Sequence, residues 1–164
     1  MIPYIAPLHA IITLNTGLVR NAVDGIGDDA SRTRPLDGAN SVAYLLAHII
    51  GSRFLMARTA GAAPVDNPID AYITPRTPID AVTSWPTMVE LLAAWTAAST
   101  SLESAMAALT ADGAAQMTEF KLPVADRSVG GILAFFTQHD SYHLGQLSML
   151  RKHLTGSAMS YKVG

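Results

Sequence analysis

No cysteine occurs among the 164 residues, so disulfides, thiolate metal ligands and cysteine nucleophiles are all excluded. Charge is scarce as well. Asp, Glu, Lys and Arg make up 15% of the chain and hydrophobic residues 49%, whereas an average soluble domain is roughly 25% charged. So dry a surface predicts that part of it is covered by a partner, most simply a second copy in a homodimer. The 11 Lys and Arg residues form no basic run and face 13 Asp and Glu, for a net charge of −2. A nucleic-acid partner needs a clustered basic face, so none is expected. The most apolar stretch, VAYLLAHIIGSRFLMA, is interrupted by His48 and Arg53 and falls short of the ~20 residues of a membrane span. The opening MIPYIAPLHAIITLNTGLVR has no Lys or Arg ahead of its apolar part, unlike a secretory leader. These features together predict a soluble cytoplasmic protein, with no membrane partner, built as one domain over residues 1–164.

Alternation of the kind that marks strands is also lacking, and four segments carry helical periodicity instead. The first runs from about Tyr4 to Val23, with Pro7 in its first turn and Asp24-Gly25 as a stop. After the irregular polar stretch DGIGDDASRTRPLDGA, the second opens at Asn40 or Ser41 as N-cap and runs to about Ala60, before Gly61. The third starts near Ser84, with Pro86 in its first turn, and reaches about Leu109. The fourth follows the N-cap Ser128 and runs to about Leu154, ended by Gly156. Residues 62–83 hold four prolines, which forbid a long helix there. Within them Pro68-Ile69-Asp70-Ala71 is echoed by Pro78-Ile79-Asp80-Ala81, read as two similar turns. Four helices with one long connection predict an all-α four-helix bundle. Its order is up-down-down-up, because the crossover between the second and third helices can span the bundle and leave those two parallel.

Two histidines stand out in FFTQHDSYHLGQL, residues 135–147. On the fourth helix, Ile132, Phe136, His139, His143, Gln146 and Leu150 are spaced by alternating fours and threes, the spacing of residues facing a bundle interior. His139 and His143 lie one turn apart and can converge on one ion. Leu45, His48, Ser52 and Leu55 make a similar seam on the second helix, and antiparallel packing brings His48 to a comparable height. Spacing alone leaves two readings open, a shared metal ion or hydrogen-bonded core histidines. The tract also reads H-D-x-x-H, one methylene short of a zinc-protease motif. Asp140 sits about 100° round the helix from His139, however, and no third ligand follows at a suitable place. Tyr142, Gln146 and Asp140 are the candidates to line the pocket or orient a ligand, and the first two equally suit a packing role. His9 and His153 are left out, as are the methionines, which read as core filler.

The tracts HDSYHLGQLSMLRKHL and SVAYLLAHIIGSRFLMA, with the lead-in D-R-S-V-G-G-I-L, resemble the DinB-like superfamily, which includes bacillithiol S-transferase-like proteins. The shared pattern is L-x-H at Leu46-Ala47-His48 and H-x-x-x-H-x-G-Q at His139, His143, Gly145 and Gln146. The resemblance covers most of the chain and implies a four-helix bundle in which His48, His139 and His143 bind a divalent metal. It further implies a metal-dependent enzyme, a hydrolase or a low-molecular-weight-thiol S-transferase acting on a small-molecule substrate, and a homodimer. Three imidazoles leave a coordination position open, as in catalytic sites, and suit zinc, nickel or iron alike. A low-molecular-weight thiol is then a possible co-substrate. The alternatives are a non-catalytic metal- or ligand-binding stress-response module and, behind it, a zinc peptidase using Asp140.

Overall fold

The computed structural model describes residues 2–35, 38–74 and 76–163. Four long helices carry the fold: α1 (Ala6–Val23), α3 (Val42–Thr59), α4 (Met88–Ala108) and α6 (Val129–Thr155). Two short ones, α2 (Asp28–Arg32) and α5 (Ala111–Ala115), lie in the connections. No β-strand is present among the described residues, where a lone bridge joins Met117 and Ser128. Likewise, no helix of the described residues is long and apolar enough to cross a membrane.

Local chemistry sets the helix ends. Ser41 and Ser128 accept hydrogen bonds from the backbone N–H groups of Tyr44 and Gly131, at 3.3 and 3.1 Å, which satisfies donors that the first turn leaves free. Gly156 closes α6 in the left-handed region, φ 74°, where a side chain would be strained. The third long helix begins later than the sequence reading placed it. Residues 84–87 stay outside the helix because Thr87 and Glu90 form a reciprocal capping box, with Thr87 N donating to Glu90 Oε2 at 2.7 Å. That pair outcompetes Ser84 as a start and leaves Pro86 before the helix. The first helix similarly begins at Ala6 rather than Tyr4. In the stretch expected to be irregular, Asp28 and Asp29 favour a short helix by occupying its first turn. Both Pro-Ile-Asp-Ala tracts are 3-10 turns, at Pro68–Ala71 and Ile79–Ala81. Pro75, between them, lies outside the described residues, as do Leu36 and Asp37 of the earlier polar stretch.

The core falls into two apolar clusters, which reveal the helix directions. One gathers Leu18–Val23 of α1, Val42–Ile50 of α3, Met88–Ala98 of α4 and Leu144–Leu150 of α6. The other gathers Ile5 and Ile12, Met56–Ala60, Leu102–Met106 and Val129–Phe136. α1 and α6 therefore run one way, α3 and α4 the other. This is the up-down-down-up order, with the proline-rich connection crossing the bundle between α3 and α4. Between the clusters lies a buried polar layer of Asn15, Ser52, Arg53, Ser99, Thr137 and Asp140. So polar a layer in a bundle core requires internal partners, since burial without them is costly.

Candidate metal centre

The histidines stand beside this polar layer, where α3 faces α6. His48 is held by α3, and His139 and His143 by successive turns of α6. Their Nε2 atoms converge: His139 Nε2 is 3.0 Å from His48 Nε2 and 3.2 Å from His143 Nε2. Among the described residues, these three form the cluster able to hold a metal ion, with all ligand atoms within 4.8 Å of one another. Metal–nitrogen bonds of about 2.0–2.1 Å place neighbouring ligand atoms roughly 3–3.4 Å apart, so the spacing fits a shared cation.

Proton counting supports the same fit. His143 Nδ1–H donates to Gln146 Oε1 at 2.6 Å, which leaves Nε2 of His143 as a bare acceptor. His139 Nε2 faces two imidazole nitrogens but carries at most one proton in the neutral ring. Hydrogen bonds alone therefore leave one of these contacts without a hydrogen bond of its own, and a cation at their meeting point satisfies all three nitrogens. Burial keeps the rings neutral. It is the main cause that lowers the pKa of His48, and it brings His139 down to about 4, with the other two imidazoles adding repulsion. His143 is lowered by burial too, against an upward pull from Gln146. Neutral imidazole is the form that ligates metal.

These shifts carry a consequence for the metal-free protein. Unfolded histidines titrate near pH 6.5, whereas the folded ones resist protonation below it, so the unfolded state binds more protons between those values. Stability therefore falls as pH drops from about 7 through 5. Thermal melts of chelator-treated protein are expected to show this decline, and His139→Gln should flatten it.

A cavity of about 370 Å3 opens onto His48 and His139. Phe135, Phe136 and Leu55 form its apolar wall, and Arg58, Asp66 and Asp70 its polar rim. The proline-rich connection thus does more than join helices, because it supplies one side of the pocket. A larger depression of about 700 Å3 beside Met149 and Lys152 is open to solvent and brings no ligand cluster together.

The structure separates the other candidates. Gln146 orients His143 and donates to the hydroxyl of Tyr142 at 3.4 Å; Tyr142 is 58% exposed, its ring T-shaped to that of His143. Loss of the orienting amide frees the imidazole to rotate, so Gln146→Leu is expected to weaken metal affinity about tenfold, read by chelator competition. Asp140 does not line the cavity. It is fully buried, and its Oδ2 accepts from Arg53 Nε at 2.5 Å. Burial raises the carboxyl's pKa, and the guanidinium opposes that rise. Locked in this way, Asp140 cannot act as the general base of a zinc peptidase, which must reach a water at the metal. The histidines are half-buried at the flank of the core, whereas Asp140 is buried within it.

Several residues were missed by the spacing argument. Phe135, Arg58 and the connection's Val65, Asp66 and Asp70 line the cavity, and no periodicity could assign a loop to the site. Arg53 left a visible signal, a charge inside the most apolar run.

The sequence model of the DinB superfamily matches residues 12–147, a span that contains all three histidines. No curated protein matches the chain. A solved structure described as the conserved protein of a locus from Enterococcus faecalis aligns with a TM-score of 0.70 at 13% identity, over 96% of this chain and 100% of that one. At that identity the likeness establishes the shared fold.

Proposed function

The chain belongs to the DinB superfamily, and from that premise we propose that it is a metal-dependent enzyme acting on a small molecule, with His48, His139 and His143 as the metal ligands. The observation that carries this reading is the convergence of three neutral imidazole nitrogens, two of them on histidines that line a cavity. A divalent cation bound there supplies a centre at which water or a thiol is deprotonated near neutral pH. The chain's own residues do the rest. Phe135, Phe136 and Leu55 exclude water from one side of the bound molecule. Arg58 at the rim offers a positive charge to an anionic group, while Asp66 and Asp70 offer negative charge to a cationic one. Gln146 keeps the proton of His143 on Nδ1, so that Nε2 faces the site. The reaction is hydrolysis when water attacks and group transfer when a low-molecular-weight thiol does.

Metal analysis of protein purified without a histidine tag tests the reading. About one divalent ion per chain is expected, and its removal should lower the melting temperature, since a ligand bound to the folded state alone stabilises it. Stoichiometric metal followed by turnover of electrophiles only when thiol is added selects transfer, and turnover without thiol selects hydrolysis. Absence of metal, with a melting temperature unchanged by His48→Ala, overturns the proposal.

A further inference from the structure

The buried polar layer contains a single node that reaches every long helix. Arg53, on α3, is fully buried. Its Nε donates to Asp140 of α6 at 2.5 Å, its Nη1 to Thr16 Oγ1 of α1 at 3.0 Å, and its Nη2 to the Ile12 carbonyl of α1 at 3.3 Å. The guanidinium carbon lies 4.4 Å from the ring centre of Trp95 on α4, and Trp95 Nε1 donates to the Thr16 carbonyl at 3.2 Å. A planar fork of donors fixes direction as well as distance, which a flexible point charge does not.

The node stands next to the histidines. Asp140 directly follows His139 on α6, and Arg53 lies about one and a half turns beyond His48 on α3. The relative slide of α3 and α6 decides whether the imidazoles of the two helices meet. Apolar packing tolerates small slides, whereas one buried ion pair with directional bonds has a single register. We propose that Arg53 and Asp140 are positioning residues for the metal centre: their bridge, anchored to α1 and α4, fixes the register that brings His48 against His139. The proposal rests on the metal-centre reading above for its affinity arm alone, because the histidine spacing is fixed by the node with or without metal.

R53K is the discriminating variant, since it keeps the charge opposite Asp140 and loses the guanidinium's ties to α1 and its contact with the Trp95 ring. Leu102→Ala, in the apolar cluster at the other end of α4, serves as a control for general loosening. Cobalt(II) is the probe, read by its visible absorption and by chelator competition. R53K is expected to bind cobalt roughly 10–100-fold more weakly than the parent with an altered spectrum, while Leu102→Ala keeps the parental affinity and spectrum. Native cobalt binding by R53K, or a parallel loss in Leu102→Ala, overturns the proposal. If R53K fails to fold, the double replacement R53M/D140L, which leaves no charge unpaired, is read by the same criteria. If the parent itself binds no cobalt, the metal reading falls, and crystal structures of the metal-free proteins decide the register alone. A His48–His139 Nε2 separation unchanged in the variant then overturns the proposal, and a widened one supports it.

Discussion

His139→Ala is expected to lower divalent-metal affinity by roughly 10²–10³-fold while leaving the metal-free protein as stable as before. His139 Nε2 meets both partner nitrogens, one at 3.0 Å and the other at 3.2 Å, so its loss leaves a site of two imidazoles. A structural zinc site is worth about 10–16 kcal/mol over its ligands, or roughly 2.5–4 kcal/mol for each. Every 1.4 kcal/mol is a factor of ten, which gives the range. The stability side runs the other way. His139 Nδ1 is buried without a hydrogen-bond partner, so removing the ring also removes an unsatisfied polar atom. In the metal-free state this offsets the loss of contact with the rings of Phe135 and Phe136. Calorimetric titration paired with thermal melts in chelator separates the two effects. Parental metal affinity in His139→Ala would show that the imidazoles do not act as one centre.

What could be read from the residues follows from which forces are periodic. The four long helices, their order and the crossover were legible because apolar spacing, serine caps and prolines are local signals. The pair His139 and His143 was legible for the same reason, since both ride one helix at a known pitch. His48 depends on the meeting of two helices, and a spacing argument could place it only at a comparable height. The third helix's start was misplaced by four residues, Ser84 against Met88, because a capping box is decided by the competition between neighbouring serines, threonines and prolines. Asp140 shows the sharper limit. Its position about 100° from His139 only took it off the histidine seam, and the arginine on α3 explains why it went inward. A charge that enters a core must bring its partner, so Arg53 and Asp140 were each half of a signal whose halves lie in different parts of the chain.

That partnership makes Arg53→Met a strongly destabilising change. Both members of the pair are fully buried, and removing one leaves the other in a medium that disfavours its charge. Breaking such a pair costs about 3–5 kcal/mol, against a total stability of roughly 5–15 kcal/mol for a domain. In a chain of this size each kcal/mol moves the melting temperature by about 2–4 °C, so a fall of roughly 6–20 °C is expected. Asp140→Leu should fall as far, because it strands the guanidinium instead. The two losses do not add. Arg53→Met together with Asp140→Leu leaves no charge to desolvate and fills the space with apolar atoms, so most of the single-variant loss should return. Denaturant melts of the four proteins form a double-mutant cycle in which the coupling, rather than either single loss, measures the pair. Two single variants within about 1 kcal/mol of the parent would mean that the layer between the apolar clusters is reached by water. A large coupling means that the bundle's middle is dry, and that the two charges there persist because each supplies what the other lacks.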